Sequence, residues 1–183
     1  PVLVAAAAKI NHWAGLFKFA FSHDAPGLVK ISQIDSFFDI IGNPQQLLLL
    51  SVASSLYLKG LNIKTTTDHG VFTLNSDIAE GAAGNISAKR ITLDHLEILA
   101  EQNGAIYLYS TEKKPIKESR SLVLLIAGDI RNEGSGWNKE GWFEWGHTPT
   151  WMLEVDAALS ITSDERLKAY ELDDQGRLGK ELE

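Results

Sequence analysis

The 183-residue chain has no cysteine, no stretch rich in Lys and Arg, and none of the common catalytic signatures. The first absence excludes disulfides and thiolate metal sites, and leaves the redox compartment open. No run of about 18 apolar residues occurs either, so no transmembrane helix is expected. With a net charge of -7, nucleic acid is not an expected partner, because phosphate binding needs a basic face. The bases present are interleaved with acids, as in Glu112-Lys113-Lys114 and Asp164-Glu165-Arg166-Leu167-Lys168, the pattern of a solvated surface.

The histidines at 12, 23, 69, 95 and 147 lack ligand spacing such as His-Glu-x-x-His. Ser22-His23-Asp24, Asp68-His69 and Asp94-His95 lack the Gly-x-Ser-x-Gly frame of a nucleophile elbow. Asn75, Asp77 and Asp173-Asp174 form no EF-hand pattern, and Gly81-x-x-Gly84 is not followed by the Lys-Ser/Thr of a phosphate loop. The expectation is a chain with no metal, no cofactor and no catalytic residue of its own.

What is present is ordinary globular material. Hydrophobic residues make up 44% and charged residues 22%, enough to fold and too apolar for disorder. Residues 1–13 read as a helix with Pro1 in its first turn and Gly15 as its stop. Such a start, without an initiator Met or a basic lead-in, is expected of a piece of a longer protein rather than of a signal peptide. Residues 16–21 are almost continuously apolar and predict a strand buried on both faces. Residues 25–42 read as a loop with a short turn at 34–38. A second helix is predicted over 44–58, with Asn43 as N-cap, Pro44 in its first turn and Gly60 ending it in a left-handed conformation.

Beyond residue 60, short alternating segments recur between Gly, Asn and Asp turns, at about 61–66, 70–75, 84–92, 94–101, 104–111, 121–131, 136–145, 150–161 and 166–172. Gln102-Asn103-Gly104 predicts a hairpin turn between two of them, and Asp173-Asp174-Gln175-Gly176 another tight turn. The predicted fold class is mainly β. An antiparallel β-sandwich over 61–183 follows a helix–strand–helix remnant of an α/β barrel over 1–60. The first sixty residues then need a cover, either a missing barrel or another subunit.

Several stretches carry a family resemblance. Trp13-Ala14-Gly15-Leu16-Phe17-Lys18-Phe19-Ala20-Phe21-Ser22-His23 resembles the eighth barrel strand of clan A, cellulase-like (β/α)8-barrel glycoside hydrolases, and Asn43-Pro44-Gln45-Gln46-Leu47 the start of the helix after it. Gly70-Val71-Phe72-Thr73-Leu74-Asn75-Ser76, Glu80-Gly81-Ala82-Ala83-Gly84, Arg131-Asn132-Glu133-Gly134, Trp145-Gly146-His147-Thr148-Pro149 and Leu167-Lys168-Ala169-Tyr170-Glu171-Leu172-Asp173 resemble, in order, pieces of the accessory sandwich of such proteins. The resemblance implies a parent that hydrolyses a polysaccharide with retention, using two glutamates on barrel strands that precede Pro1. It also implies a secreted or periplasmic setting and carbohydrate as the partner. The chain would complete the barrel and support the substrate cleft. The alternatives are a non-catalytic carbohydrate-binding β-sandwich and a structural or oligomerisation domain.

Four residues are candidate substrate contacts. His23 and Asp24 end the predicted barrel strand, where such barrels place their sites. They either meet sugar hydroxyls or simply face water. Trp142 and Trp145 belong to a cluster with Trp137 and Trp151. Alternation places Trp142 with Glu144 on one face, and Phe143 with Trp145 on the other. These rings either stack on sugars or pack among themselves.

Overall fold

The structure, a computed structural model, describes residues 1–17, 21–22, 39–112, 114–173 and 175–182. Among the described residues two helices, α1 (Val2–Ile10) and α2 (Pro44–Lys59), precede the strands β1 (Lys64–Asp68), β2 (Val71–Asn75), β3 (Ala79–Gly84), β4 (Arg90–Thr92), β5 (Leu96–Ala100), β6 (Gly104–Ser110) and β7 (Leu122–Gly128). There follow β8 (Ile130–Glu133), β9 (Gly136–Trp137), β10 (Phe143–Glu144), β11 (His147–Met152), β12 (Ala157–Ile161), β13 (Ala169–Leu172) and β14 (Leu178–Leu182). All the strand pairs are antiparallel. The chain is mainly β.

Five strands form one sheet in the order β1-β2-β3-β6-β7, and three form another in the order β12-β5-β4. The central strand β6 explains their relation. Ala105, Tyr107 and Tyr109 share an apolar cluster with Val52, Ala53 and Leu56 of α2. The alternate residues Ile106 and Leu108 share a second cluster with Leu96, Ile98 and Ala100 of β5. Every residue of β6 is therefore buried, which is why it reads as a continuous apolar run rather than an alternation.

Helix α2 begins as its sequence predicts. The Asn43 side chain accepts from the Gln46 backbone N–H at 2.8 Å, with Pro44 in the first turn. Its end differs from prediction. Gly60 is extended (φ −60°, ψ 135°), not left-handed. A Cβ there would lie 2.5 Å from the Leu56 carbonyl oxygen, so close approach requires the glycine. Helix α1 stops at Ile10, before Gly15. His12 takes the left-handed conformation (φ 54°) and the Trp13 N–H bonds back to the Ala8 carbonyl, closing the end as a Schellman motif without glycine. Of the predicted strand at 16–21, Leu16, Phe17 and Phe21 are exposed and lie outside any strand; 18–20 lie outside the described residues, as does the turn expected at 34–38.

The predicted hairpin around Gln102-Asn103-Gly104 is corrected. β5 and β6 do not pair; the chain crosses there from the three-stranded to the five-stranded sheet. Gly104 is needed because a Cβ would meet the Ala127 carbonyl oxygen at 2.7 Å. The Asp173–Gly176 turn does close a hairpin, β13 with β14, with Gly176 at φ 74°. Asp173 Oδ1 accepts from the backbone N–H groups of Arg177 and Gln175 there. These bonds, the Arg177 amide first and the Arg177 side chain second, hold the Asp173 carboxyl below its usual range.

Four further segments divide more finely than their sequences predict, 150–161 among them, which holds the end of β11 and all of β12. The stretch 84–92 is a strand end, a bend and the short β4, while β3 begins earlier, at Ala79. Residues 121–131 break at Asp129 into β7 and β8, and 136–145 is itself a small hairpin.

Candidate functional site

Residues 130–152 fold into a two-stranded arm. Its base pairs β8 with β11, matching Arg131 to Trp151 and Asn132 to Thr150. Its outer part pairs β9 with β10, matching Trp137 to Phe143 and Gly136 to Glu144. A long paired ribbon forms here because the sequence alternates and carries turn residues at Asn138 and Gly141, the latter at φ 82°.

Polar side chains set the arm's shape. Asn132 is buried; its amide donates to the Trp145 carbonyl at 2.7 Å and its oxygen accepts from the Thr150 hydroxyl at 2.7 Å. At the tip, Asn138 Oδ1 accepts from the backbone N–H of Trp142 at 2.9 Å and of Glu140 at 3.1 Å. The Asn138 amide donates to Glu144 Oε1 at 3.0 Å. Gly146 packs so tightly that a Cβ would lie 2.2 Å from the Glu133 carbonyl oxygen.

The aromatic rings divide between roles. Trp137 and Phe143 meet edge to face at 5.4 Å, and Phe143 and Trp145 do the same at 5.2 Å. Trp145 and Phe143 are half-buried by these contacts. Trp137 and Trp142 stay 75% and 74% exposed. Trp151 is exposed as well, with its indole N–H donating to Glu133 at 2.8 Å.

Of the predicted contacts, Trp142 stands exposed at the arm's tip and Trp145 sits within the edge-to-face row. His23 and Asp24 lie outside the described residues. Trp137 was visible in the sequence as part of the cluster, but its exposure follows from where the ribbon turns. Of the acid–histidine pairs, Asp68 ends β1 and His69 begins the turn to β2, with His69 Nδ1 2.6 Å from Asp68 Oδ1. His95 meets a different acid, Glu80.

That second polar site, Glu80, was not legible as a partner of His95. Glu80 is fully buried on β3; it accepts from the backbone N–H groups of His95 and Leu96 at 2.8 and 3.0 Å, and its other oxygen lies 2.5 Å from His95 Nδ1. It ties the five-stranded sheet to the start of β5. The signal available was a lone acid within the small-residue run from Ile78 to Gly84.

An open groove of about 310 Å³ lies beside the start of α1, lined by Val2, Leu49, Phe72, Ala83 and Tyr107 among others. Burial raises the Tyr107 phenol above its ordinary pKa. Among the described residues no carboxylate or imidazole lines the groove. Among the described residues there is no group of three His, Asp or Glu able to hold a metal, and no helix long and apolar enough to cross a membrane.

Comparison of the chain with protein-family models, with curated proteins and with solved structures returned no match in any of the three.

Proposed function

We propose that the chain is the non-catalytic C-terminal part of a polysaccharide-cleaving glycoside hydrolase. In this reading residues 1–60 are the last unit of an α/β barrel, and the two facing sheets with their hairpins, 61–183, are its accessory sandwich. The chain completes the barrel and supports the substrate cleft, while the glutamates that cleave the glycosidic bond belong to the barrel's other strands.

The observation that carries this reading is the outer surface of the helical region. Val52, Ala53 and Leu56 seal against the sheet. Leu3, Ile10, Trp13, Phe17 and Leu58 remain exposed, Phe17 at 95%. An apolar surface of this extent is what a covering barrel would bury. The ordered set of motifs from Trp13 to Asp173 supports the same reading.

The test is the natural gene product. The expected result is a protein longer by roughly a barrel's ~250 residues that cleaves a polysaccharide. A product of this length with no hydrolysis would sink the proposal and leave subunit assembly as the use of the helical surface. A second reading, a carbohydrate-binding unit without chemistry, is favoured by the exposed Trp137 and Trp142.

A further inference from the structure

We propose that the tip of the arm is a binding site for a single chain of neutral glycan. Trp142 is its principal stacking surface, Glu144 and Asn138 are the hydroxyl partners beside it, and Trp137 is a second surface on the ribbon's other side. This rests on the carbohydrate reading above, and adds the residues, the charge of the ligand and its form.

The argument begins with the two indoles. Both stay about three-quarters exposed although apolar clusters lie elsewhere in the chain. Among the described residues neither indole N–H has a hydrogen-bond partner, whereas that of Trp151 does. Each ring thus presents an apolar face and a free donor, the combination that matches a sugar ring with its C–H face and its hydroxyls.

Position follows from the ladder. Trp137 is paired directly with Phe143, so the two share a face, and Trp142, the next residue along, points to the other. On that second face lie Asn138 and Glu144, already joined to each other at 3.0 Å. A carboxylate and an amide beside an exposed indole can accept from and donate to hydroxyls. The turn that carries them is held by the Asn138 bonds to Trp142 and Glu140, so little ordering remains to be done on binding.

Charge selects the ligand. The arm carries Glu133, Glu140 and Glu144 against Arg131 and Lys139, and His147 Nδ1 donates to the Thr148 carbonyl. Uronate or sulfate groups would meet Glu140 and Glu144 at the tip, where like charges repel. Geometry selects the form. Trp137, Phe143 and Trp145 meet at 70° and 83°, so they make no flat strip for a crystalline surface and suit one chain in solution.

Affinity electrophoresis of the 183-residue chain tests this, with soluble neutral polysaccharides (hydroxyethyl cellulose, galactomannan, xyloglucan) and anionic ones (alginate, pectate). The expected result is retardation by at least one neutral polymer and by no anionic one. Trp142→Ala and Trp137→Ala should each weaken it about tenfold, Trp142→Phe should restore part of it, and Trp151→Ala should leave it unchanged. All three positions are exposed, and unchanged far-UV circular dichroism verifies the fold. Full retardation of the Trp137→Ala/Trp142→Ala double variant would overturn the arm as the site. Binding only to anionic polymers, or only to insoluble crystalline glycan, would overturn the ligand class while keeping the carbohydrate reading. No binding at all, or an arm-dependent dimer instead, would overturn the inference. A natural gene product that still cleaves polysaccharide would then leave the hydrolase reading standing.

Discussion

In the five-stranded sheet, β6 loses every side chain from solvent, Ile106 and Leu108 toward one cluster and Tyr107 toward the other. In the arm, which begins two residues after that sheet's last strand, Trp137 and Trp142 keep most of their surface in water and the backbone is held by Asn132 and Asn138. Both regions are antiparallel ladders. They differ in what covers them: a layer on each face stabilises by apolar area, whereas a lone ribbon depends on hydrogen bonds and a few ring contacts. Large side chains in the first region belong to stability. In the second, Trp137 and Trp142 stay in water and add little to it.

This contrast predicts a graded set of effects. Ile106→Ala, in a site with no exposure, should cost about 4 kcal/mol in urea unfolding. A cost under about 1 kcal/mol would show that the facing sheets are not a packed core. Glu80→Ala leaves the N–H groups of half-buried His95 and buried Leu96 without their acceptor and should cost about 3 kcal/mol, while Glu80→Gln, which keeps an oxygen there, should cost less. Asn132→Ala should lower global stability by only about 1 kcal/mol, yet speed hydrogen exchange at Trp145 and throughout the arm. If exchange in the sheet rose equally, the two regions would be one cooperative unit.

The smallest effects concern pH. Burial raises the Tyr107 phenol above its ordinary value of 10.0 in the fold. Its contribution to stability is therefore complete below that value and falls as pH rises past it. Tyrosinate absorbance at 295 nm should appear in two stages, the last with unfolding. Asp173 behaves in the opposite sense. Its carboxyl is held below its ordinary value of 3.8, so the β13–β14 turn should be intact above that pH and loosen as pH falls below it. Amide chemical shifts of Gln175 and Arg177 would follow the change. A shift midpoint above 3.8 would contradict the hydrogen bonds assigned to that turn.

Where the local signal was a side-chain oxygen bonding nearby backbone, as at Asn43 and Asp173, it read correctly. Asn43-Pro44 opened α2 and Asp173 to Gly176 closed a hairpin, because a side-chain oxygen bonding its own backbone is decided within four or five residues. The aromatic cluster was likewise legible, and so was the separation of Trp142 from Phe143, since alternation is a property of any strand. Glycine misled at Gly15, Gly60 and Gly104. The first lies beyond a helix already ended by His12, and the other two are small because another backbone passes close, not because their own conformation demands it.

The sequence by itself therefore determined the mainly β class, the cap of α2, the terminal turn and the aromatic composition of the arm. Only the tertiary structure decided that β5 and β6 lie in different sheets, that Glu80 meets His95, and which tryptophans remain in water. Local preferences act over a turn of chain, whereas sheet partners and burial depend on residues tens of positions away whose approach leaves no mark on the segment itself.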